Sequence, residues 1–271
     1  MAVVKGAFQM TGSISNISFY KVAGSDQVIM RTKGGPTKRR LKVGPEFELV
    51  RKHQKEWAAC VMFSQGLKWA LGEVYKLADY NVSPVWNGLG KKIIKTDENH
   101  VIGERSLIVS AYRNELSGFN LNRNFAFNAV MGVTPQVSID KEALKATALI
   151  PAMNSEQDLL NIQKLPYFRL ILTLGIVSDI HYDSTRNQGK YVPEIVDFNG
   201  SNKSETTEWF STRDLIPQME ITAQFNSSMK KFVTENSTYI LSMGIQFGNV
   251  GFGGKIEAVK RACCGKILKV I

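Results

Sequence analysis

The run Phe168-Arg-Leu-Ile-Leu-Thr-Leu-Gly-Ile-Val-Ser-Asp-Ile180 decides the fold class. Phe168, Leu170, Leu172, Leu174, Ile176 and Ile180 fall at even spacing, with Arg169, Thr173, Val177 and Asp179 between them, and a period of two belongs to a strand. Downstream, Met219, Ile221, Ala223 and Phe225 alternate with Gln218, Glu220, Thr222 and Gln224. Tyr239, Leu241, Met243, Ile245 and Phe247 alternate against Ser242, Gly244 and Gln246. Shorter strands are predicted at 136–140, 145–150, 191–198, 206–211 and 265–271, with turn-rich segments at 184–189 and 199–202. Half-buried strands separated by turns point to an antiparallel β-sandwich over residues 129–271.

Upstream, residues 44–128 read as helical. Gly44 stands at an N-cap position, Pro45 suits the first helical turn, and Glu46 and Glu48 put acid at the positive end of the helix dipole. Phe47, Val50, Trp57, Cys60, Val61, Leu67, Leu71 and Val74 recur at helical spacing, and Gly66 or Gly72 is a candidate break. Trp57 and Trp69 are expected in the core. A second helix is predicted from about Val82 to Lys95, and the Asn-rich stretch 120–128 reads as the loop before the sandwich.

The first 43 residues form a third region. Gly12-Ser-Ile-Ser-Asn-Ile-Ser-Phe-Tyr-Lys21 and Val28-Ile-Met-Arg31 carry strand formers on either side of the turn cluster Ala23-Gly-Ser-Asp26. They are predicted to make a β-hairpin arm with Ile14, Ile17, Phe19, Tyr20, Val28 and Met30 as its contact residues. A lone hairpin is marginal in water, so the arm must dock, either on its own chain or on a neighbouring subunit. The whole is expected to be α+β: an N-terminal hairpin and amphipathic helices, then a mainly antiparallel sandwich.

Charge is concentrated at the same end. Residues 1–70 hold twelve Lys/Arg against four Asp/Glu, a net of +8 within a chain total of +10. Arg31, Lys33, Lys38, Arg39, Arg40, Lys42, Arg51 and Lys52 make up the basic patch, which suits an acidic protein face, nucleic acid or a membrane surface. Cys60, Cys263 and Cys264 form no C-x-x-C pair, and two of them are adjacent, so no disulfide framework is implied. The opening residues lack a signal-peptide pattern and no window is apolar enough to span a bilayer; the expectation is a chain that is cytoplasmic at synthesis with no membrane span.

Several of these stretches together resemble an uncharacterised group of Bacteroidota proteins. They are Gly12-x-Ile-x-Asn-Ile-Ser-Phe-Tyr-Lys21, Arg31-x-Lys-Gly-Gly-Pro36, Leu41-Lys-x-x-Pro45-x-Phe47, Arg51, Gly103-x-Arg105, Leu116-Ser-Gly-Phe-Asn-Leu-Asn122, Tyr239-Ile-Leu-x-x-Gly-Ile-x-Phe247 and Lys266-Ile-Leu-Lys-Val270. Members of that group usually carry Asp before the helix-opening proline, where this chain has Gly44. The resemblance implies a shared fold and brings no reaction or catalytic residue with it.

Chemical constellations are sparse. Asp179, His181 and Asp183 alternate and would share one strand face, a spacing open to metal ligation, although a polar strand end gives the same letters. Gly248-Asn-Val-Gly-Phe-Gly-Gly-Lys255 resembles a phosphate loop but has Asn249 where the first motif glycine belongs and Ile256 in place of Ser or Thr. A bend between strands 237–247 and 255–260 is the preferred reading. No nucleophile elbow, zinc finger or dinucleotide fingerprint is present. The expectation is therefore a non-enzymatic structural protein, without cofactor or metal, that self-associates through its N-terminal arm into a homo-oligomer or filament of phage-like kind. Its partners would be copies of itself and other assembly proteins. The alternative is a nucleic-acid-binding protein using the basic segment, for which weak or no binding is expected.

Overall fold

The computed structural model describes residues 2–4 (backbone only), 11–22, 24–185 and 189–271. Ala23 of the expected arm turn and residues 186–188 of the expected turn segment lie outside the described residues. The chain divides into two compact units, Met1–Arg51 and Lys52–Ile271. It is α+β, and among the described residues no helix is long and apolar enough to cross a membrane.

In the first unit the expected hairpin is the middle of a larger sheet. Strands β1 (Ala2–Val4), β2 (Gly12–Ile14), β3 (Ile17–Lys21) and β4 (Val28–Thr32) pair antiparallel in the order β1-β4-β3-β2. A two-residue turn, Ser15-Asn16, joins β2 to β3, with Ser15 at φ 50 in the left-handed region that tight hairpin turns use. The basic run is helical: α1 (Lys38–Val43) is capped by Thr37, whose hydroxyl accepts from the Arg40 N–H at 3.2 Å. Pro45 opens a single 3-10 turn, Pro45–Phe47, that leads into α2 (Glu48–Tyr75). The second helix appears as expected, as α3 (Ser83–Ile94).

The second unit is built on a five-stranded antiparallel sheet. Following β5 (Gln136–Asp140), β6 (Lys145–Ile150) and β7 (Met153–Asn154) come β8 (Tyr167–Val177), β9 (Ile180–Asp183), β10 (Lys190–Pro193), β11 (Asn202–Thr206) and β12 (Phe210–Ser211). The chain ends with β13 (Leu215–Ile216), β14 (Met219–Gln224), β15 (Thr238–Val250) and β16 (Ile256–Val270). The order in the main sheet is β11-β8-β15-β16, with β12 also on β8; β14-β6-β5 form a three-stranded sheet, and β9/β10 and β7/β13 are two-stranded pairs. The strands expected at 136–140 and 145–150 match β5 and β6, and the glycine cluster is the bend between β15 and β16.

Register explains the two cores. Phe168, Leu170, Leu172, Leu174 and Ile176 of β8 join Tyr239, Leu241, Met243, Ile245 and Phe247 of β15 against Ala146, Ala148, Ile221 and Ala223 of the smaller sheet, which makes the sandwich. The opposite face of the main sheet, with Thr173 and Ser242 fully buried, is covered by helices instead of water. There Ile171, Val177, Ile240, Ile267 and Val270 meet Ala59, Cys60, Phe63, Leu67, Ala70, Leu71 and Val74 of α2 and Trp86, Ile93 and Ile94 of α3. The unit is thus three layers: helices, main sheet, small sheet.

The close fit of α2 rests on small residues. A side chain at Gly175 would overlap the Ala70 carbonyl, and one at Gly244 would overlap Leu77. Of the two candidate breaks in α2, Gly72 is the real one, with φ 48 and ψ −121, while Gly66 is helical and packs against the Asn199 side chain. The core placement expected for Trp57 and Trp69 is corrected: they are 47% and 54% exposed. At 3.6 residues per turn, Trp57 lies about 90° and Trp69 about 150° from the centre of the buried stripe. Aromatic content alone says nothing about that angle.

Candidate functional site

Directly paired residues of an antiparallel sheet project to the same face. Gly12, Phe19 and Met30 are in line, as are Ile14, Ile17 and Thr32, and Lys21 pairs with Val28. Ile14, Ile17, Phe19, Val28 and Met30 therefore share one face of the N-terminal sheet. Tyr20 falls on the other face with Ser18 and Ile29, and the Arg31 guanidinium lies over its ring at 5.3 Å from the centroid. Five of the six expected arm residues are brought together and the sixth is turned away. Ile14 is 63% exposed, Val28 is buried, and Ile17, Phe19 and Met30 are half-buried.

The basic patch divides by role. Lys33 donates to the Ser15 carbonyl at 2.9 Å, so it supports the β2–β3 turn. Arg40 pairs with Glu46 at 2.7 Å, and Arg51 donates to the carbonyls of Leu41 and Gly44 at 2.9 and 2.8 Å, which satisfies the C-terminal end of α1. Lys38, Arg39 and Lys42 are exposed on α1. Lys52 is half-buried, and its methylenes pack where left-handed Gly103 (φ 98) leaves room.

The second unit holds a polar centre that the periodicity did not single out. Glu56 is fully buried on α2; its carboxylate accepts from Lys91 at 2.5 Å and from the Gly103 N–H at 3.1 Å, with Arg105 at 3.9 Å and His53 at 3.7 Å. Burial alone would raise its pKa, but the Lys91 and Gly103 hydrogen bonds and the charges of Lys91 and Arg105 outweigh that and hold it below the ordinary value. One turn on, burial pushes the Cys60 thiol up to about 11, and burial also raises Cys263, Cys264 and Tyr191. At all three cysteines burial disfavours the thiolate form. The arrangement clamps α2, α3 and the 103–105 segment together. Its sequence signal was a carboxylate in line with Cys60 and Phe63 on the apolar stripe.

Asp179 and His181 are used locally. Asp179 is buried and accepts from the Ser110 N–H at 2.8 Å and its hydroxyl at 2.6 Å, while His181 Nδ1 lies 3.2 Å from Ser106 Oγ. Asp183 accepts from the Thr185 N–H at 2.9 Å. Asp179 sits in the break between β8 and β9, so the alternation expected from one continuous strand does not bring the three together. Among the described residues no cluster of three His, Cys, Asp or Glu side chains is placed to hold a metal.

No family model, curated protein or solved structure matches this chain. Among the surfaces described, the N-terminal sheet stands out, one of its faces gathering Ile14, Ile17, Phe19, Val28 and Met30.

Proposed function

We propose that this chain is a non-enzymatic assembly protein whose copies join through the N-terminal sheet into a homo-oligomer or filament. One observation carries the reading. Ile14, Ile17, Phe19, Val28 and Met30 share a face of a small sheet, and of these five only Val28 is buried, with Ile14 63% exposed. An apolar sheet face needs a cover to be stable in water. Among the described residues β2 pairs with β3 alone, and its outer edge offers backbone donors and acceptors that a neighbour's sheet can take up by β-augmentation. Lys38, Arg39 and Lys42, exposed on α1 of the same unit, favour a partner surface that carries acidic residues. A phage-like or filamentous particle is the setting that such a contact fits.

Light scattering on the full chain and on an Ile17→Asp, Phe19→Asp double variant tests this. The wild-type chain should exceed the 30.2 kDa of one copy, and the variant should fall to smaller species with an unchanged circular dichroism spectrum. A wild-type chain that stays at 30.2 kDa at high concentration overturns the proposal. The exposed cations of α1 favour nucleic acid as the second reading. Contact driven by charge alone should be weak and vanish at physiological salt, and tight binding that survives salt would favour that reading instead.

A further inference from the structure

Trp69, more than half exposed on α2, does not stand on open surface. It lines a groove of about 590 Å³ between the kinked end of α2 and the loop 199–202, whose other walls include Glu73, Tyr75, Lys76, Asn199 and Ser201. That size is ordinary for a small-molecule site. Two left-handed glycines shape it: Gly72 (φ 48) bends α2, and Gly200 (φ 84) lets the loop come up against the tryptophan, where a side chain would meet Trp69 Cβ at 2.9 Å and Cε3 at 3.1 Å.

The tryptophan is held in place by that loop. Its carbonyl accepts from Asn202 Nδ2 at 2.8 Å and its ring edge rests against Gly200, so little freedom is left to lose when a ligand arrives. Charge narrows the choice of ligand. Glu73 and Lys76 pair at 2.6 Å, and Lys68 Nζ lies 5.7 Å from the Tyr75 ring centroid, so the charges at the groove are answered within it. Among the described residues the Ser201 hydroxyl has no hydrogen-bond partner, Asn199 uses only its Oδ1, on the Ser178 N–H, and Glu73 keeps its second carboxylate oxygen. A flat aromatic face beside such groups fits a pyranose ring: its C–H groups carry the positive partial charge that the negative π face attracts, and its hydroxyls hydrogen-bond at the rim.

We infer that this groove binds a neutral glycan, one pyranose ring lying on the Trp69 indole with its hydroxyls on Ser201, Asn199 and Glu73. A nucleobase would stack on the same face, but a nucleotide also brings phosphate, and the two lysines of the groove are engaged, Lys76 by Glu73 and Lys68 by Tyr75. The inference is independent of the N-terminal contact, because all of its residues lie in Lys52–Ile271.

Isothermal titration of the full chain with cellohexaose, maltohexaose and chitohexaose tests this, with adenosine monophosphate as the nucleobase probe. At least one glycan should bind with saturable heat. Trp69→Ala should weaken that binding about tenfold or more, a change of ~1.4 kcal/mol per factor of ten, while Trp69→Phe should keep part of it. Ser201→Ala, which removes one hydrogen bond at the rim, should weaken it about fivefold. Trp57→Ala, on the same helix but not among the residues of the groove, should leave it unchanged. No heat with any of the three glycans at ~10 mM, ten times a dissociation constant of about 1 mM, overturns the inference, as does glycan binding that survives Trp69→Ala. Binding of adenosine monophosphate alone overturns it in favour of a nucleobase. Should Trp69→Ala alter the circular dichroism spectrum, Trp69→Phe and Ser201→Ala carry the test, and full glycan binding in both counts against the site.

Discussion

Gly175 of β8 lies directly under the Ala70 carbonyl of α2, at a distance that leaves no room for a side chain. Helix and sheet meet backbone to backbone at this point. The Gly244–Gly265 pair of β15 and β16 continues the seam under Leu77 and Val74.

Gly175→Ala should therefore cost about 3 kcal/mol or more, because the obstacle is backbone that cannot rotate away. Gly265→Ala should cost nearer ~1 kcal/mol, since the Val74 Cγ1 methyl that an added carbon would meet at 2.9 Å belongs to a side chain. Urea unfolding measures both. Equal midpoints for wild type and Gly175→Ala would show that the seam is not tight.

Glu56 ties stability to pH. Its folded-state pKa is depressed, so its contribution is fully present above the ordinary glutamate range and is lost as pH falls through the lower folded value. Stability should decline on acidification below pH ~4.5, in part through this group. Glu56→Gln should remove that part of the acid dependence and destabilise the neutral protein by about 3 kcal/mol, because Lys91 and Arg105 lose their counter-charge. A variant with the wild-type acid profile would assign the dependence to other carboxylates.

Two tryptophans should respond in opposite ways to truncation. Trp86 is fully buried, with its ring centroid 5.6 Å from Phe119 and 6.2 Å from Tyr75, and Trp86→Ala should cost about 3–5 kcal/mol. Trp57→Ala should stay within about 0.5 kcal/mol, as is usual for exposed positions. Comparable losses for the two would mean that Trp57 is covered.

The alternation over 168–177, 218–225 and 239–247 identified the principal strands of the sandwich, while Ile180, expected on the same face as Phe168, lies past the end of β8 in the helix-side core; Pro45 with the helical spacing behind it located α2. These features were legible because strand and helix periods are local, set by which side chains share a face within a few residues. Thr173, Gly175, Ser242 and Gly244 read as a weakly apolar face, yet they are where α2 sits: small residues let a helix approach closely, and a hydropathy pattern cannot distinguish that from a face left to water. The angle that turns Trp57 and Trp69 outward and the partners that close around Glu56 depend on elements far apart in sequence. Pairing across three strands, which no single stretch contains, placed five arm residues on one face and Tyr20 on the other. Local spacing therefore determined the elements themselves. Only the tertiary structure decided which of their faces are covered, because burial is a relation between surfaces that the chain brings together from a distance.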